Sequence, residues 1–400
     1  MLTRRDLIRR SAFLSLSPAV PAFLARTGLA AAAEVDGRVL VVIQLDGGND
    51  GINTVVPFGD EAYGKLRKGL RLPADSLCKV ADGVGLHRAL KPAADLMESH
   101  RLAIVQGVGY PNPDRSHFES MAIWQTARPD RASAREESVG WLGRALDAAV
   151  AEHRPRAGGP SAVLVGDQAL PRALWSRRAQ ATSFADASDL ALALPVPTSA
   201  SIGPAGDDLD AFVHRTVTSA YATAAELEAA AGRGKEGTVR YPATSLAQRL
   251  ELISRSLKAG SPARVFYAIQ PGYDTHSVQL ATHARLLDEL AGALRAFLDD
   301  LAAAGLADRV LVLAFSEFGR RPEENGSLGT DHGTAGPVIL AGPAVKPGLI
   351  GRTPRLGELR DGDLIWTIDF RRIYATILDR WLGVPSAGIL GGTFEPLAVI

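Results

Sequence analysis

Cysteine is nearly absent. The 400-residue chain has one, Cys78, so it forms no internal disulfide and no cysteine-ligated metal cluster. An excess of one charge is also missing. Lys and Arg total 44, as do Asp and Glu, which leaves no electrostatic footprint for nucleic acid or an anionic membrane. Nor is there a long apolar run. The best candidate, residues 12–29, is broken by Pro18 and Pro21. It falls short of the roughly twenty strongly apolar residues that a permanent membrane anchor needs. What remains is ordinary for a soluble globular protein: 46% hydrophobic and 22% charged residues. The length suits two or three small domains, or one large α/β domain with insertions.

The N-terminus reads as an address. Thr3-Arg4-Arg5-Asp6-Leu7-Ile8 resembles the twin-arginine export motif, and the weak apolar stretch follows it. Ala31-Ala32-Ala33 supplies small residues before a cleavage point, so residues 1–33 are expected to be a signal peptide. The expected destination is the periplasm or the exterior. The partner this implies is the twin-arginine export machinery.

Residues 39–53, VLVVIQLDGGNDGIN, organise the rest. Seven apolar-rich residues predict a strand buried on both faces, as inside a parallel sheet. Asp46 stands where the strand must stop, and Gly47, Gly48 and Gly51 allow a sharp turn. In open α/β sheets the ligand crevice lies at the carboxyl ends of the strands. Asp46 is therefore a candidate metal ligand, with the oxygens of Asn49 and Asp50 close behind; the alternative is a turn-capping acid.

Strand and helix then alternate. Further strands are expected at 101–107, 161–166, 263–270, 309–316 and 337–341. Helices are expected at 87–100, 116–126, 139–150, from about 279 to 304, and from Asp369 to Trp381. Phe118, Met121, Ile123 and Trp124 predict a largely buried helix at 116–126; Leu280, Leu287, Leu290, Leu294, Phe297 and Leu301 give the long helix one apolar face. Between 169 and 260 the pattern weakens. That stretch reads as a peripheral, largely helical insertion, with helices at 209–231 and 241–259. The fold class is α/β: a mostly parallel central sheet with helices on both faces.

Four strand ends carry polar sets: Asp46; Ser116-His117; Asp274 with His276; and Glu317, followed by Asp331-His332. Carboxylates and imidazoles suit a divalent cation such as Zn²⁺, Mn²⁺ or Ca²⁺, and an oxygen-rich set favours the harder ions. Ser116 has two readings. At a helix start, where free N–H groups and the dipole favour an anion, it is a candidate nucleophile with His117 beside it. With Glu119 three residues on, it equally fits a capping box.

The combination QLDGGNDGIN, VQGVGYPNPDRSHFESMAIWQT, GWLGR, SEFGRR, ENGSLGTDHGTAGP and DFRRIYATILDRWLG resembles the DUF1501 family of secreted bacterial proteins. The resemblance spans the whole chain after the signal and implies an alkaline-phosphatase-like domain over 34–400. It carries Asp46 over as a first metal ligand, Ser116 as nucleophile, Asp274 and His276 as a middle group, and His332 as a late histidine. Glu317-Phe318 stands where the phosphatases have Asp-His, which leaves a single ion or a degenerate site. Two functions follow: a metal-dependent hydrolase of small-molecule or polymer phosphate or sulfate esters, or a non-catalytic binding or assembly protein on the same fold.

The export reading has its own test. Arg4→Lys with Arg5→Lys should strand an uncleaved precursor in the cytoplasm. Cell fractionation that still finds mature protein outside it rejects twin-arginine routing.

Overall fold

The computed structural model describes residues 37–128, 130–151, 160–184 and 239–400. Among the described residues nine strands form the main sheet: β1 Val39–Asp46, β2 Leu102–Gly109, β3 Ala162–Val165, β4 Ala181–Phe184, β5 Val265–Pro271, β6 Val310–Phe315, β7 Gly336–Ala341, β8 Gly348–Ile350 and β9 Ile368–Asp369. Their order is β8-β2-β7-β6-β1-β5-β3-β4, with β9 also paired to β2. Every pairing is parallel except those of β7, which runs antiparallel to both β2 and β6.

β1 lies between β5 and β6, and its side chains alternate between two cores as strand geometry requires. Val39, Val41, Ile43 and Leu45 join one cluster with helices α1 (Lys91–Glu98), α4 (Ser245–Lys258) and α5 (Gln279–Ala303). Leu40 and Val42 join the other, with α2 (His117–Thr126), α3 (Trp141–Ala151) and α6 (Phe370–Thr376). The sheet is thus sandwiched between helical layers, as the apolar runs predict. Trp124 of α2 stacks on Phe315 and Phe370, with ring centroids 5.1 and 4.4 Å away. That contact fixes α2 beside the end of β6. Among the described residues no helix is long and apolar enough to cross a membrane.

Several expectations need correction. The stretch 169–260 is not wholly peripheral. β4 is an edge strand of the main sheet, and α4 buries Leu246, Leu250, Ile253 and Leu257 in the core. The signal at 1–33 and the expected helix at 209–231 lie outside the described residues. Phe118 is 87% exposed, because α2 buries the face bearing Ser120, Ile123 and Trp124. Leu280 likewise faces solvent, at the first turn of α5.

Behind the turn after β1 sits a buried polar network. Asp50 caps the short helix Gly51–Thr54 and is gripped by Arg67 through Nη1 at 2.6 Å and Nη2 at 3.0 Å. Both side chains are fully buried. Burial would push the Asp50 carboxyl up, but Arg67, His283 and Gln279 outweigh it and bring the pKa to about 2. Asp50 is therefore a structural acid and offers no oxygen to a ligand. Asn49 is occupied too, its Oδ1 accepting from Thr54 Oγ1 at 3.1 Å and meeting His283 Nε2 at 2.9 Å.

His283 makes this network acid-sensitive. Burial lowers its pKa from 6.5 to about 4, against the pull of Asp50. Between those values the unfolded chain takes up a proton that the folded chain refuses, so stability falls as pH drops through that window. Asp50 adds a further loss only below 3.8, as pH falls toward about 2. His283→Gln, which keeps a donor to Asn49, should flatten the dependence of Tm on pH between 6.5 and 4. Thermal melts across that range check it, and an unchanged slope removes His283 from the account.

Candidate metal centre

The site follows from strand direction. β1, β5 and β6 are neighbours and parallel, so Asp46, the turn carrying Asp274 and His276, and Ser316-Glu317 emerge at one edge. β2 delivers the loop to Ser116 and His117 at the same edge. β7 is antiparallel, so its beginning lies there, preceded by a hairpin of Arg320–Glu324 and Thr330–His332 that supplies His332. Gly47 and Gly48 make the turn after β1 possible. Their φ angles are +117° and +77°, and a Cβ would fall 2.4 Å from the Asp274 backbone nitrogen and 2.4 Å from the Phe318 ring respectively.

Three imidazoles converge on one carboxylate oxygen. Asp274 Oδ1 lies 3.0 Å from His276 Nε2, 3.2 Å from His332 Nε2 and 3.4 Å from His117 Nε2. His276 and His332 face each other, Nε2 to Nε2, at 2.9 Å. His117, Asp274 and His332 place ligand atoms all within 4.8 Å of one another. Each ring is held from behind. His332 Nδ1 donates to the Arg115 carbonyl at 2.7 Å, His117 Nδ1 meets Glu317 Oε1 at 2.7 Å, and His276 Nδ1 faces Asp331 Oδ1 at 3.3 Å. Those acceptors assign the proton of each neutral ring to Nδ1 and leave a lone pair on each Nε2. His117 Nε2 is buried without a hydrogen-bond partner. Lone pairs aimed at one another at 2.9–3.4 Å repel unless a cation or proton lies between them. His117, Asp274 and His332 therefore fit a divalent cation, with His276 alongside.

Electrostatics agree. Burial raises the Asp274 pKa, but the bond and charge of Arg320, then His332 and His276, bring it to about 2, so it is a permanent carboxylate. The bond to Glu317 raises His117, whereas burial lowers His332. Arg320 is fully buried. It donates from Nε to the Gly48 carbonyl at 2.7 Å and from Nη1 to Thr330 O at 2.8 Å. Nη2 serves Asp274 Oδ1 at 2.6 Å, Tyr273 O at 3.1 Å and Gly47 O. Sequence reasoning missed this residue, whose only signal was an arginine pair directly after a strand-end glycine.

The expected site residues divide into three groups. Asp274, His276 and His332 meet at one point, joined by His117, which was expected beside Ser116 as a catalytic residue; His117, Asp274 and His332 form the group that could hold an ion. Glu317 and Asp331 stand one layer out and orient imidazoles. Glu317 is buried, accepting from Gly47 N at 3.0 Å and Ser316 Oγ at 2.8 Å as well as holding His117. Asp46 is outside the converging set. It accepts from Gln44 Nε2 at 2.9 Å, and burial and Glu317 raise its pKa. The capping box is absent: Ser116 makes no side-chain cap bond, and Glu119 pairs with Arg131 and Arg135. Asp114 Oδ1 instead accepts from the Ser116 N–H at 2.8 Å. Ser116 stays exposed.

Residues 37–388 match the family model described as a protein of unknown function, DUF1501. The chain belongs to this family. Among curated proteins none matches it. Solved structures it is similar to include the PsFucS1 sulfatase from Pseudoalteromonas sp., at 13% identity and TM-score 0.42 over 90% of this chain and 70% of that one. Another is the lipoteichoic acid synthase LtaP from Listeria monocytogenes, at 10% and 0.39 over 82% and 74%. A third is the phosphonate monoester hydrolase of Agrobacterium radiobacter, at 11% and 0.39 over 90% and 78%. The chemistry of the DUF1501 site therefore rests on its own side chains.

If the four groups hold a cation, purified protein should carry about one divalent ion per chain, lost on chelation and restored with a rise in Tm. His332→Ala should abolish both effects. Elemental analysis with no metal, and no thermal shift on adding Zn²⁺ or Mn²⁺, contradicts the assignment.

Proposed function

We propose that this chain is an exported hydrolase of phosphate or sulfate esters that works with one divalent cation. The observation that supports it is the convergence of three back-anchored Nε2 atoms on Asp274 Oδ1. Two imidazole nitrogens with one carboxylate oxygen, and a third imidazole alongside, favour Zn²⁺ or Mn²⁺ over Ca²⁺, a shift from the oxygen-rich set expected. Such a cation would polarise a phosphoryl or sulfuryl oxygen and offset charge that develops there.

The remaining roles fall to the chain itself. Ser116 is the nucleophile: it is exposed, spends no hydroxyl bond on capping and directly precedes His117. The first-turn N–H groups of α2, left without a side-chain cap, face an anion bound there. Arg320 holds the Asp274 carboxylate in place. The localisation that goes with this reading is periplasmic or secreted, and the substrate is a small-molecule or polymer ester.

A second reading has its own support. The Phe318 ring lies 4.9 Å from both His117 and His332, and Glu317 is committed to its neighbours. A second cation of a two-metal site finds no ligands at those positions. A binding or assembly protein that keeps the fold without turnover is consistent with that replacement.

Single-turnover hydrolysis of an aryl phosphate and an aryl sulfate separates the two. Ser116→Ala loses no cap bond, so its melting should stay near wild type, within roughly 0.5 kcal/mol. Its turnover should fall by several orders of magnitude. Equal rates in both proteins end the nucleophile assignment. A wild type inactive on phosphate, phosphonate and sulfate esters leaves the binding protein.

A further inference from the structure

Arg115 joins the two sides of the metal centre, once through its main chain and once through its side chain. Ser116 and His117 follow it on the loop from β2, whereas His332 stands on the hairpin before β7. The Arg115 carbonyl accepts from His332 Nδ1 at 2.7 Å. Its guanidinium is 38% exposed and places Nη2 2.8 Å from Oδ2 of Asp363, a side chain only 2% exposed. Asp363 lies on a small antiparallel hairpin, Leu359–Arg360 with Asp363–Leu364. That hairpin is fastened to the His332 side of the site. Thr334, two residues past His332, donates from Oγ1 to Leu364 O at 2.6 Å.

Among the described residues, the other hydrogen bonds of this loop stay within it or run to the helix it enters. Asp114 N donates to Tyr110 Oη at 3.0 Å, Tyr110 Oη to Ser120 Oγ at 2.8 Å, and Ser116 N to Asp114 Oδ1 at 2.8 Å. These bonds shape the loop but do not set where it stands against the hairpin. Asp363, for its part, is costly to bury. Its Oδ1 accepts from the Leu364 N–H at 3.0 Å, but no hydrogen bond of good geometry reaches the buried Oδ2. Burial raises its pKa, and the Arg115 charge is the largest influence against that rise. A buried pair of this kind adds little net stability, because desolvation offsets the attraction. What it does supply is position.

We infer that Asp363 is a positioning residue of the metal centre: it holds Arg115, and through the Arg115 carbonyl it aims His332 and sets where Ser116 and His117 stand against that ring. The inference rests on the metal-centre reading above and extends it to a side chain one step further out. The reason is ring geometry. An imidazole whose Nδ1–H is held by a carbonyl keeps its lone pair on Nε2 and points it the opposite way. A carbonyl that drifts lets the ring turn or the proton pass to Nε2, and either change takes a lone pair from the cluster. His332 Nε2 and His117 Nε2 lie 3.2 and 3.4 Å from Asp274 Oδ1. Moving the loop against the hairpin therefore upsets both distances at once.

The experiment compares the full chain with two variants. Asp363→Asn keeps the shape and removes the charge, and Asp363→Asn combined with Arg115→Met leaves neither partner stranded. Zn²⁺ affinity, read by competition with a chelator well below each melting temperature, should fall about tenfold or more in both, as expected when a metal ligand loses its outer support. The melting temperatures themselves should stay near wild type. A second readout needs no metal. In ¹⁵N-histidine NMR at about pH 8, where an ordinary imidazole is neutral, His332 of the wild type should carry its proton on Nδ1. In both variants that proton should be shared between the two nitrogens; loss of the signal in His332→Ala assigns it. Zn²⁺ affinity within about twofold of wild type in both variants, against the tenfold expected, overturns the inference. An unchanged His332 tautomer overturns it as well. A wild type that binds no Zn²⁺ overturns the metal-centre reading, and the tautomer then decides whether Asp363 aims His332.

Discussion

A single buried guanidinium ties the site together. Arg320 has no access to water, so each of its N–H groups needs an acceptor inside the protein. It finds them on three separate segments: the carbonyls of Gly47 and Gly48 after β1, Tyr273 O and Asp274 after β5, and Thr330 O on the hairpin before β7. No two of these segments are adjacent in sequence. Their relative positions are set by satisfying one cation, and Asp274 supplies the opposite charge. Losing that guanidinium would leave three turns with unpaired carbonyls and Asp274 without its nearest counter-charge.

The same pattern is repeated one layer deeper. Arg67 grips Asp50 and also donates to Pro322 O at 2.5 Å and Arg321 O at 3.0 Å. The hairpin is thus clamped from both sides by arginines that reach across more than 250 residues of chain. Buried pairs of this kind add little net stability, but breaking one strands a charge and is costly. Their effect here is geometric. They hold the hairpin so that His332 and Asp331 meet His276 at the sheet edge. They also set a fixed positive charge beside Asp274.

Much of the fold was legible along the chain. The apolar runs of β1, β5 and β6 and the period of α5 follow from local pattern, because a strand buried on both faces and a half-buried helix leave distinct spacings. Ser, Asp and Gly marked most element ends. Where pattern failed, long-range packing had decided. α4 looks like any amphipathic helix, and nothing local says that its apolar face covers β5. Phe118 read as core because it is aromatic, yet the rotation of α2 was set by Trp124 stacking on Phe315 and Phe370. The antiparallel course of β7 left no mark in its composition.

The sequence alone determined which residue types stand at the strand ends, that cysteine takes no part, and that acids and imidazoles are the available ligands. Local chemistry suffices for that, since strand termini and glycine turns are written in consecutive residues. Only the tertiary structure decided which of them meet. Asp46, Glu317 and Asp331 have the same credentials in sequence as Asp274. The direction of a lone pair depends on what holds the ring or carboxylate from behind, and those partners are the Arg115 carbonyl, Glu317 and Asp331, brought together by sheet order and two buried arginines. His117 joins the cluster for the same reason: its Nδ1 is taken by Glu317, and its Nε2 faces Asp274.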